Sequence, residues 1–411
     1  MIASLTMEDT RLFQLALGLA DPWQVTDCKL DLKQGCLNID VDFVRGSTFT
    51  CPRCDAKGCG AYDTEQRTWR HLNFFQYRTY LRARVPRVQC GECGIKQVSV
   101  PWSRPGSGFT LLFEALVMMM VKDMPVQAVA RIVGEHDTRL WRVIEYYVED
   151  ARDKADYPLT GAIGIDETSS RRGHNYVTLF VDLEQSKVLF ATPGKDAATV
   201  NDFKLDMLVH WGQPKAVREF CCDMSKAFIK GIGENFPDAE LTFDKYHVMK
   251  IINDAVDEVR REEQLKCSEL KRTRYAWLTN PENQTAKQSE LIQHFLVSRL
   301  NLKTVRAYHL RLNFQELWDQ APRDAEAFLK GWYFWATHSQ LKPMIDAAAT
   351  IKQHWGGILR WFKSKVNNGI LEGINSIVQA VKAKARGYRT MRNLITMIYL
   401  IAGKLTFDLP T

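Results

Sequence analysis

The stretch Ala162-Ile-Gly-Ile-Asp-Glu167 decides the fold, because it reads as a short apolar strand that ends in acidic residues. A second stretch of the same kind, Val217-Arg-Glu-Phe-Cys-Cys-Asp223, follows later in the chain. Between and after them, strand patterns alternate with helical patterns, which is typical of a mixed α/β sheet. If the two strands are neighbours, we expect Asp166 and Asp223 to meet at one edge of that sheet.

Paired carboxylates at strand ends suit metal-dependent phosphoryl transfer. Divalent ions held by such carboxylates activate the attacking oxygen and stabilise the leaving oxygen. An aspartate at a strand end more often only caps a turn, so these two positions alone do not decide the chemistry. Glu167, Glu219 and Asp244 are rival carboxylates, and Asp244 also follows an apolar strand.

A third carboxylate lies on a helix predicted after Asn367-Asn-Gly369. A polar stripe at helical spacing is formed by Glu372, Asn375, Gln379, Lys382 and Arg386. The opposite, apolar face is formed by Leu371, Ile374, Ile377, Val378 and Val381. A stripe of this composition suits a helix that faces a metal site and DNA, with Lys382 and Arg386 on the DNA backbone. The alternative interpretation is a solvated surface helix.

Two Cys-X-X-Cys motifs precede the α/β region, at Cys51-Pro-Arg-Cys54 and Cys90-Gly-Glu-Cys93. Four thiolates from two such knuckles satisfy tetrahedral zinc, and the segments 68–72 and 77–87 can form a hairpin that brings the knuckles together. Buried free thiols are the alternative, since cysteine packs as a small hydrophobe. That alternative does not account for two copies of the motif, so we expect Cys51, Cys54, Cys90 and Cys93 to hold one structural Zn²⁺.

A helix-turn-helix is predicted between the zinc motif and the α/β region. Residues 124–133 form a short helix, Gly134 supplies the turn, and a second helix covers 139–148. The apolar positions expected to pack the two helices together are Val126, Val129, Ile132, Leu140, Val143 and Ile144. The second helix of such a motif enters the major groove, which assigns DNA contacts to Thr138, Arg139 and Arg142. Plain bundle packing is the alternative.

The composition excludes several classes of protein. The 411-residue chain is 45% hydrophobic and 25% charged, which is typical of a globular protein, and its longest apolar stretch, 111–121, is too short to cross a bilayer. We see no targeting signal, so we expect a cytoplasmic protein without a membrane partner, whose ten cysteines do not form a disulfide framework.

The net charge of the whole chain is only weak evidence for nucleic-acid binding, but basic residues are concentrated in one module. The net charge is only +7. The zinc module, however, is rich in arginine, at Arg67, Arg70, Arg78, Arg82, Arg84 and Arg87. A basic module of this kind suits phosphate contacts, with Arg84 as the residue that we expect to bind DNA. A solvated face is the alternative.

Several longer segments occur together in one order along the chain. They are Cys51-Pro-Arg-Cys54, Thr68-Trp-Arg-His-Leu72, Val85-Pro-Arg-Val-Gln-Cys-Gly-Glu-Cys93, Ile165-Asp-Glu167, Cys222-Asp-Met-Ser225, Asp244-Lys-Tyr-His-Val248, Asn368-Gly-Ile-Leu-Glu-Gly-Ile-Asn375 and Arg386-Gly-Tyr-Arg389. In this order and over nearly the whole chain, the sequence resembles the ISL3 family of bacterial insertion-sequence transposases.

The resemblance implies a multidomain α/β protein. Its catalytic domain is expected to be a ribonuclease-H-like mixed sheet with an all-α insertion, preceded by a zinc-ribbon-like module and a helix-turn-helix. Asp166, Asp223 and Glu372 are implied as the catalytic triad that binds Mg²⁺ or Mn²⁺, and Asp244 and His247 are implied as supporting residues. The implied activity is binding of terminal inverted repeats, DNA cleavage and joining to target DNA, by a homodimer in the bacterial nucleoid.

These inferences divide the chain into six segments. They are an N-terminal helix and strands in 1–47, the zinc module in 48–105, the helix-turn-helix domain in 106–157, the first part of the catalytic domain in 158–250, a helical insertion in 251–364 and the final helices in 365–411. Two other classes remain open, a zinc-dependent transcription regulator without catalysis and a ribonuclease or Holliday-junction nuclease. The presence of all three carboxylates in their motifs argues against a regulator without catalysis. A ribonuclease or Holliday-junction nuclease would not require a zinc module followed by a helix-turn-helix.

Overall fold

The computed structural model describes residues 2–4, 7–157, 159–171, 175–297, 301–365 and 369–410. The chain forms two compact units, Met1–Tyr147 with Thr406–Thr411, and Val148–Leu405. Each unit has its own sheet and its own hydrophobic core. Within the described ranges, no helix is both long enough and apolar enough to span a bilayer.

The first unit is built on a seven-stranded sheet. Its strands are β1 (Ile2–Ser4), β2 (Trp23–Asp31), β3 (Cys36–Phe43), β4 (Thr48–Phe49), β5 (Cys59–Phe74), β6 (Tyr77–Cys90) and β7 (Gly94–Gln97). They lie in the order β1-β2-β3-β6-β5-β4, with β7 paired to β6. The pair β3–β6 is parallel and the other pairs are antiparallel. The N-terminal strands and the zinc module therefore contribute to one sheet.

The hairpin of β5 and β6 confirms the hairpin predicted between the two cysteine motifs. Leu81, Ala83 and Val85 of β6 are buried, and the alternate residues of this stretch are more exposed, because successive side chains of a strand point to opposite faces. These buried residues join Trp23 and Trp69 in the core of the unit.

Four helices accompany this sheet. They are α1 (Met7–Ala16), α2 (Leu111–Asp123), α3 (Val126–Val133) and α4 (Asp137–Asp153). The side chain of Thr110 caps α2 by accepting a hydrogen bond from the backbone N–H of Phe113. Gly134 ends α3 with a φ of 69°, a left-handed conformation that glycine adopts without steric cost. The predicted pair of helices joined by a glycine turn is confirmed.

The second unit contains a five-stranded sheet, which confirms the mixed α/β sheet predicted around Asp166 and Asp223. The strands are β8 (Ala162–Arg171), β9 (Asn175–Asp182), β10 (Lys187–Pro193), β11 (Glu219–Cys222) and β12 (Glu240–Phe243). They lie in the order β10-β9-β8-β11-β12. Strands β8 to β10 form an antiparallel meander, whereas β11 pairs in parallel with both β8 and β12.

The core of this sheet is apolar because β11 and the first residues of β8 are hydrophobic. Ile163, Ile165 and Phe220 are at most 2% exposed. Helices α5 (Ala197–Val209) and α6 (Lys226–Asn235) supply Phe203 and Phe228 to the same core.

The chain continues as a helical region with a core of its own. Its helices are α7 (Lys245–Glu263), α8 (Arg274–Leu278), α9 (Ala286–Val297), α10 (Lys303–Gln315), α11 (Ala325–Thr337), α12 (Lys342–Gln353) and α13 (Trp355–Ser364). Trp277, Trp318 and Trp332 are buried in this core, whereas Trp335 is exposed. The last two helices are α14 (Gly369–Lys384) and α15 (Met391–Ala402).

Candidate active site and DNA-binding modules

Two of the predicted site residues lie at the same level on neighbouring parallel strands. Gly164 of β8 pairs with Cys221 of β11. Asp166 and Asp223 each follow their paired residue by two positions, and adjacent strands lie about 4.8 Å apart. Oδ1 of Asp223 accepts a hydrogen bond from the backbone amide of Ser225 at 2.9 Å. The structure thus brings the two aspartates together. The prediction that Asp166 ends its strand was wrong, because β8 continues to Arg171 through its pairing with β9, whereas Asp223 directly follows β11 as predicted.

The carboxylate of Asp166 is partly buried and is held by two N–H donors. Oδ1 accepts from the backbone amide of Glu167 at 2.7 Å, and Oδ2 accepts from Nδ2 of Asn375. Burial raises the pKa of Asp166 to about 6; the Glu167 amide and His247 oppose this rise, and neighbouring carboxylates add to it. A site that disfavours its own negative charge in this way would be stabilised by a cation.

Asp244 lies beside Asp223, because the preceding residue, Phe243, pairs with Cys222 of β11. It caps helix α7 through Oδ1, which accepts from the amide of Tyr246 at 2.6 Å. Oδ2 is hydrogen-bonded to Nδ1 of His247, and this bond raises the pKa of His247. Asp244 is only 5% exposed. Both of its oxygens are therefore engaged within the first turn of its own helix.

Helix α14, which carries Glu372, packs against β8. Leu371 packs so closely on β8 that a Cβ atom at Gly164 would lie 2.6 Å from its Cδ2 atom. Asn375 contacts Asp166 one turn further along. Glu372 lies between these two contacts along the helix, and its side chain is exposed.

The polar stripe of α14, predicted to face a metal site and DNA, contacts the sheet over most of its length. After Asn375, Gln379 donates to the hydroxyl of Thr168, and Lys382 donates to the carbonyl of Ser169. Lys382 is therefore engaged by the protein itself. Arg386 follows the end of the helix and is exposed.

The apolar face of α14 is narrower than predicted. Leu371, Ile374 and Val378 are buried, as expected, but Ile377 is 48% exposed. The prediction was wrong for Ile377, because at 100° per residue this position lies about 90° around the helix from the centre of the buried face.

The acidic edge fits divalent cations by its donor chemistry. Carboxylate oxygens are the ligands that Mg²⁺ and Mn²⁺ prefer, and Asp166, Asp223 and Glu372 supply them. Glu167 adds a further carboxylate, and burial followed by the charge of Asp223 raises its pKa. Among the residues that the structure describes, no three of these acids bring ligand oxygens within 4.8 Å of one another, so they are more widely spaced than the cysteines described next.

The four predicted zinc ligands meet at one point. The Sγ atoms of Cys51, Cys54, Cys90 and Cys93 all lie within 4.8 Å of one another, and those of Cys54 and Cys90 are 3.5 Å apart. Such spacing fits a tetrahedral ion with Zn–S bonds of about 2.3 Å. Backbone amides of Cys93 and Glu92 lower the pKa of Cys90 to about 7, which favours the thiolate that a metal requires. The geometry supports a structural zinc site.

Helices α3 and α4 bury most of the apolar positions predicted to pack them. Of the predicted positions, Val126, Val129, Leu140, Val143 and Ile144 are buried, and Val133, which was not predicted, is buried as well. Ile132 is 60% exposed, so the prediction was wrong at this position. Val126, Val129 and Val133 define the inward face at spacings of three and four residues, which leaves Ile132 outside it.

The three residues predicted to read DNA differ in accessibility. Thr138 and Arg142 are exposed on α4. Arg139 is partly buried, forms an ion pair with Glu135 and lies with its guanidinium 4.2 Å from the ring centre of Phe109. Arg142 is therefore the more accessible of the two arginines.

The arginines of the zinc module are paired across strands β3 and β6. Arg82 contacts Asp40 at 2.8 Å, and Arg84 contacts Asp42 at 2.6 Å. The side chain of Arg84 is nevertheless 56% exposed, which leaves it accessible to a phosphate.

Arg70 has a different role from its neighbours. It is 2% exposed, lies 3.7 Å from the carboxylate of Glu135 and donates to the carbonyl of Val133 at 3.4 Å. Its guanidinium also lies over the ring of Phe113. The expectation that Arg70 belongs to a basic surface was wrong, because this side chain links β5 to the turn after α3.

Comparison with known families accounts for all three modules. Residues 47–93 match the zinc-finger of the transposases of IS204, IS1001, IS1096 and IS1165. Residues 98–148 match the helix-turn-helix domain of transposase family ISL3. Residues 163–398, more than half of the chain, match the ISL3 DDE domain, described as a transposase. The chain belongs to the ISL3 family of transposases.

Individual relatives of this ISL3 transposase match it over most of their length. The transposase for insertion sequence element IS1557 from Mycobacterium tuberculosis is 26% identical over 441 residues, which cover 97% of this chain and 96% of the relative. The transposase for IS1001 from Bordetella parapertussis is 28% identical over 356 residues, or 82% and 85% of the two chains. The protein is thus an insertion-sequence transposase with a zinc ribbon, a DNA-binding helix-turn-helix and a DDE domain.

Sequence reasoning gave no role to Asn375, which the structure places against Asp166. A signal was present, since Asn375 lies three residues from Glu372 on the same polar stripe. Residues with this spacing are neighbours on a helix surface.

Proposed function

We propose that this ISL3 transposase binds the terminal inverted repeats of its own element and uses Asp166, Asp223 and Glu372 for metal-dependent strand cleavage and strand transfer. The observation that carries the proposal is the parallel register of β8 and β11, which sets the two aspartates at one level on neighbouring strands. The packing of α14 on β8, with Asn375 of the same helix against Asp166, supports Glu372 as the third acid.

We also infer a ribonuclease-H-like catalytic core. An antiparallel three-stranded meander followed by two parallel strands supports this assignment, as does the position of Asp166 within β8 and of Asp223 directly after the neighbouring strand β11. The helical region with its own core, between β12 and α14, supports the predicted insertion.

The proposed reaction is two successive transfers at a phosphate. Mg²⁺ or Mn²⁺ bound by the three acids would supply a Lewis acid and lower the pKa of a bound water. The sheet holds the carboxylates of Asp166, within β8, and Asp223, directly after β11, and Glu372 would add one from a helix. A water oxygen attacks the phosphate at the element end and leaves a 3′-hydroxyl. That hydroxyl then attacks a phosphate of the target DNA, so that the element's 3′-oxygen becomes bonded to this phosphorus and the 3′-oxygen of the target strand leaves as a hydroxyl. Asp244 and His247 support the site by fixing the start of α7 beside Asp223.

DNA binding is assigned to both N-terminal modules. The proposed contacts are Thr138, Arg139 and Arg142 in the major groove and Arg84 on the backbone. Arg386, after the end of α14, is a further proposed backbone contact, whereas Lys382 of the same stripe already donates to the Ser169 carbonyl. Zn²⁺ held by the four cysteines would stabilise the ribbon. We propose a homodimer on DNA in the bacterial nucleoid, because joining two element ends to one target requires two sets of end contacts.

The test uses labelled duplexes that carry the sequences flanking the coding gene. The protein should bind the terminal-repeat duplex in preference to a scrambled one, and Mg²⁺ or Mn²⁺ should support cleavage that leaves a 3′-hydroxyl. Ca²⁺ should support binding without cleavage. A protein that cleaves neither duplex with Mg²⁺ or Mn²⁺, under conditions where it binds the repeat, would argue for a DNA-binding role alone.

A further inference from the structure

The carboxamide of Asn375 has an oxygen without a partner beside the acidic edge. Its Nδ2 atom donates to Oδ2 of Asp166. Its Oδ1 atom is buried and has no hydrogen-bond partner in the part of the chain that the structure describes. Buried polar atoms in native proteins are usually partnered, so this oxygen needs an explanation.

A cation at the acidic edge would provide the missing partner. Amide carbonyl oxygens are hard donors of the kind that Mg²⁺ and Mn²⁺ accept alongside carboxylates. The N–H side of this amide is anchored on Asp166. The oxygen of the same planar group therefore stays close to any ion that Asp166 binds.

The surrounding contacts hold Asn375 at this position. One turn before it, Leu371 packs against Gly164 of β8. One turn after it, Gln379 donates to the hydroxyl of Thr168. These contacts fix the register of α14 on β8, so the amide is positioned by the fold and not by its own hydrogen bond alone.

We propose that Asn375 is a ligand of the divalent-cation site, binding through Oδ1 while Nδ2 orients Asp166. The inference rests on the proposed function, because it needs the cation that Asp166 would bind. Glu372 and Asn375 then form a helical pair at spacing i, i+3, the arrangement by which two ligands of one helix project toward the same ion. The site gains a neutral oxygen that holds the cation without adding negative charge.

The experiment measures Mn²⁺ binding to the full-length, DNA-free protein by electron paramagnetic resonance, which does not detect Zn²⁺ in the ribbon. Asn375→Ala should weaken Mn²⁺ binding by about tenfold or more, the loss typical when a metal site loses a supporting group. Asn375→Asp keeps an oxygen donor at the same place and should bind Mn²⁺ better than Asn375→Ala. Gln379→Ala removes one of the contacts that dock the same helix and should weaken Mn²⁺ binding much less than Asn375→Ala does. Thermal melting checks that each variant is folded.

Three outcomes would overturn the proposal. Wild-type Mn²⁺ affinity in Asn375→Ala would exclude a ligand role. Equal weakening by Gln379→Ala would show that docking of α14 is what the measurement detects. If Asn375→Asp bound Mn²⁺ no better than Asn375→Ala, the only remaining role of Asn375 would be to orient Asp166. Asp166→Asn separates this inference from the proposed function, because unchanged Mn²⁺ affinity in that variant would remove the metal site itself.

Discussion

Oδ2 of Asp244 and Nδ1 of His247 lie 2.9 Å apart within the first turn of helix α7. The other oxygen of Asp244 accepts from the Tyr246 amide, so this carboxylate is both a helix cap and the partner of an imidazole. Asp223, its neighbour on β11, has only a turn contact to the Ser225 amide in the described structure. The difference favours Asp223 over Asp244 as a metal ligand.

Substitution of Asp244 tests this distinction. Asp244→Asn keeps an effective capping residue but removes the charge that faces His247. We expect metal-dependent cleavage to fall by about tenfold, as for groups that support a metal site, and much less than in Asp223→Asn. Single-turnover cleavage of a labelled element end measures both variants. If Asp244→Asn were inactive while Asp223→Asn kept substantial cleavage, the second ligand would be Asp244.

The three proposed ligands should behave as one unit. Asp166→Asn, Asp223→Asn and Glu372→Gln preserve shape but remove the charge that holds a cation, so each should abolish strand cleavage and strand joining. Because groups that act together lose activity together, Asp166→Asn/Glu372→Gln should be little worse than either single variant. Specific binding to the terminal repeat, measured by gel shift in Ca²⁺, should stay within about twofold of wild type. Retained cleavage in all three variants would exclude the mechanism.

The sheet of the second unit could be predicted because its strands can be recognised from the pattern of neighbouring residues alone. An apolar run that ends in an acid marks both β8 and β11, and parallel pairing then requires Asp166 and Asp223 to meet. Pairing in the first unit could not be predicted in the same way. Strand β3 pairs in parallel with β6 across a long sequence separation, and no local pattern specifies such a partner.

The sequence also could not predict what the polar stripe of α14 would face. A stripe that contains Asn375, Gln379 and Lys382 has the same composition whether it faces DNA or a polar sheet edge, and here its contacts are to β8. Arg70 illustrates the same limit, because burial of a cation depends on partners that are distant in sequence, such as Glu135.

Zinc binding should depend on the paired cysteines and not on the fifth one nearby. Cys90→Ser removes one of four ligands and should lower the zinc content measured by elemental analysis, with loss of folded ribbon, since small zinc modules gain their folding energy from the metal. Cys59→Ser is the matched control. Its Sγ atom donates to the Ala56 carbonyl at 3.6 Å and lies outside the four-cysteine group, so zinc content should not change. Equal zinc in Cys90→Ser and wild type would contradict the assignment.

The two DNA-binding modules should differ in what they contribute. Arg142→Ala, on the exposed face of α4, should reduce the preference for terminal-repeat DNA over random DNA by about 1–3 kcal/mol. Arg84→Ala should weaken binding to both DNAs and reduce the slope of log affinity against log salt by about one. Binding isotherms at several salt concentrations measure both effects. The assignment of the recognition helix would fail if the two variants lost the same affinity on both DNAs.

The close packing of α14 on β8 gives a last test, which uses two glycines. A Cβ atom at Gly164 would lie 2.6 Å from Leu371 Cδ2 and 2.8 Å from Leu183 Cδ2, so Gly164→Ala must displace these side chains, and Leu371 is the one that packs the helix carrying Glu372 on β8. We expect a loss of about 1–3 kcal/mol in the free energy of unfolding, the range for overpacked cores, together with reduced cleavage. Gly373→Ala is the control, because a Cβ atom there meets nothing within 4 Å and alanine favours a helix by about 0.5–1 kcal/mol. Urea unfolding and single-turnover cleavage give the two quantities. Wild-type stability and cleavage in Gly164→Ala would show that this contact does not set the position of Glu372.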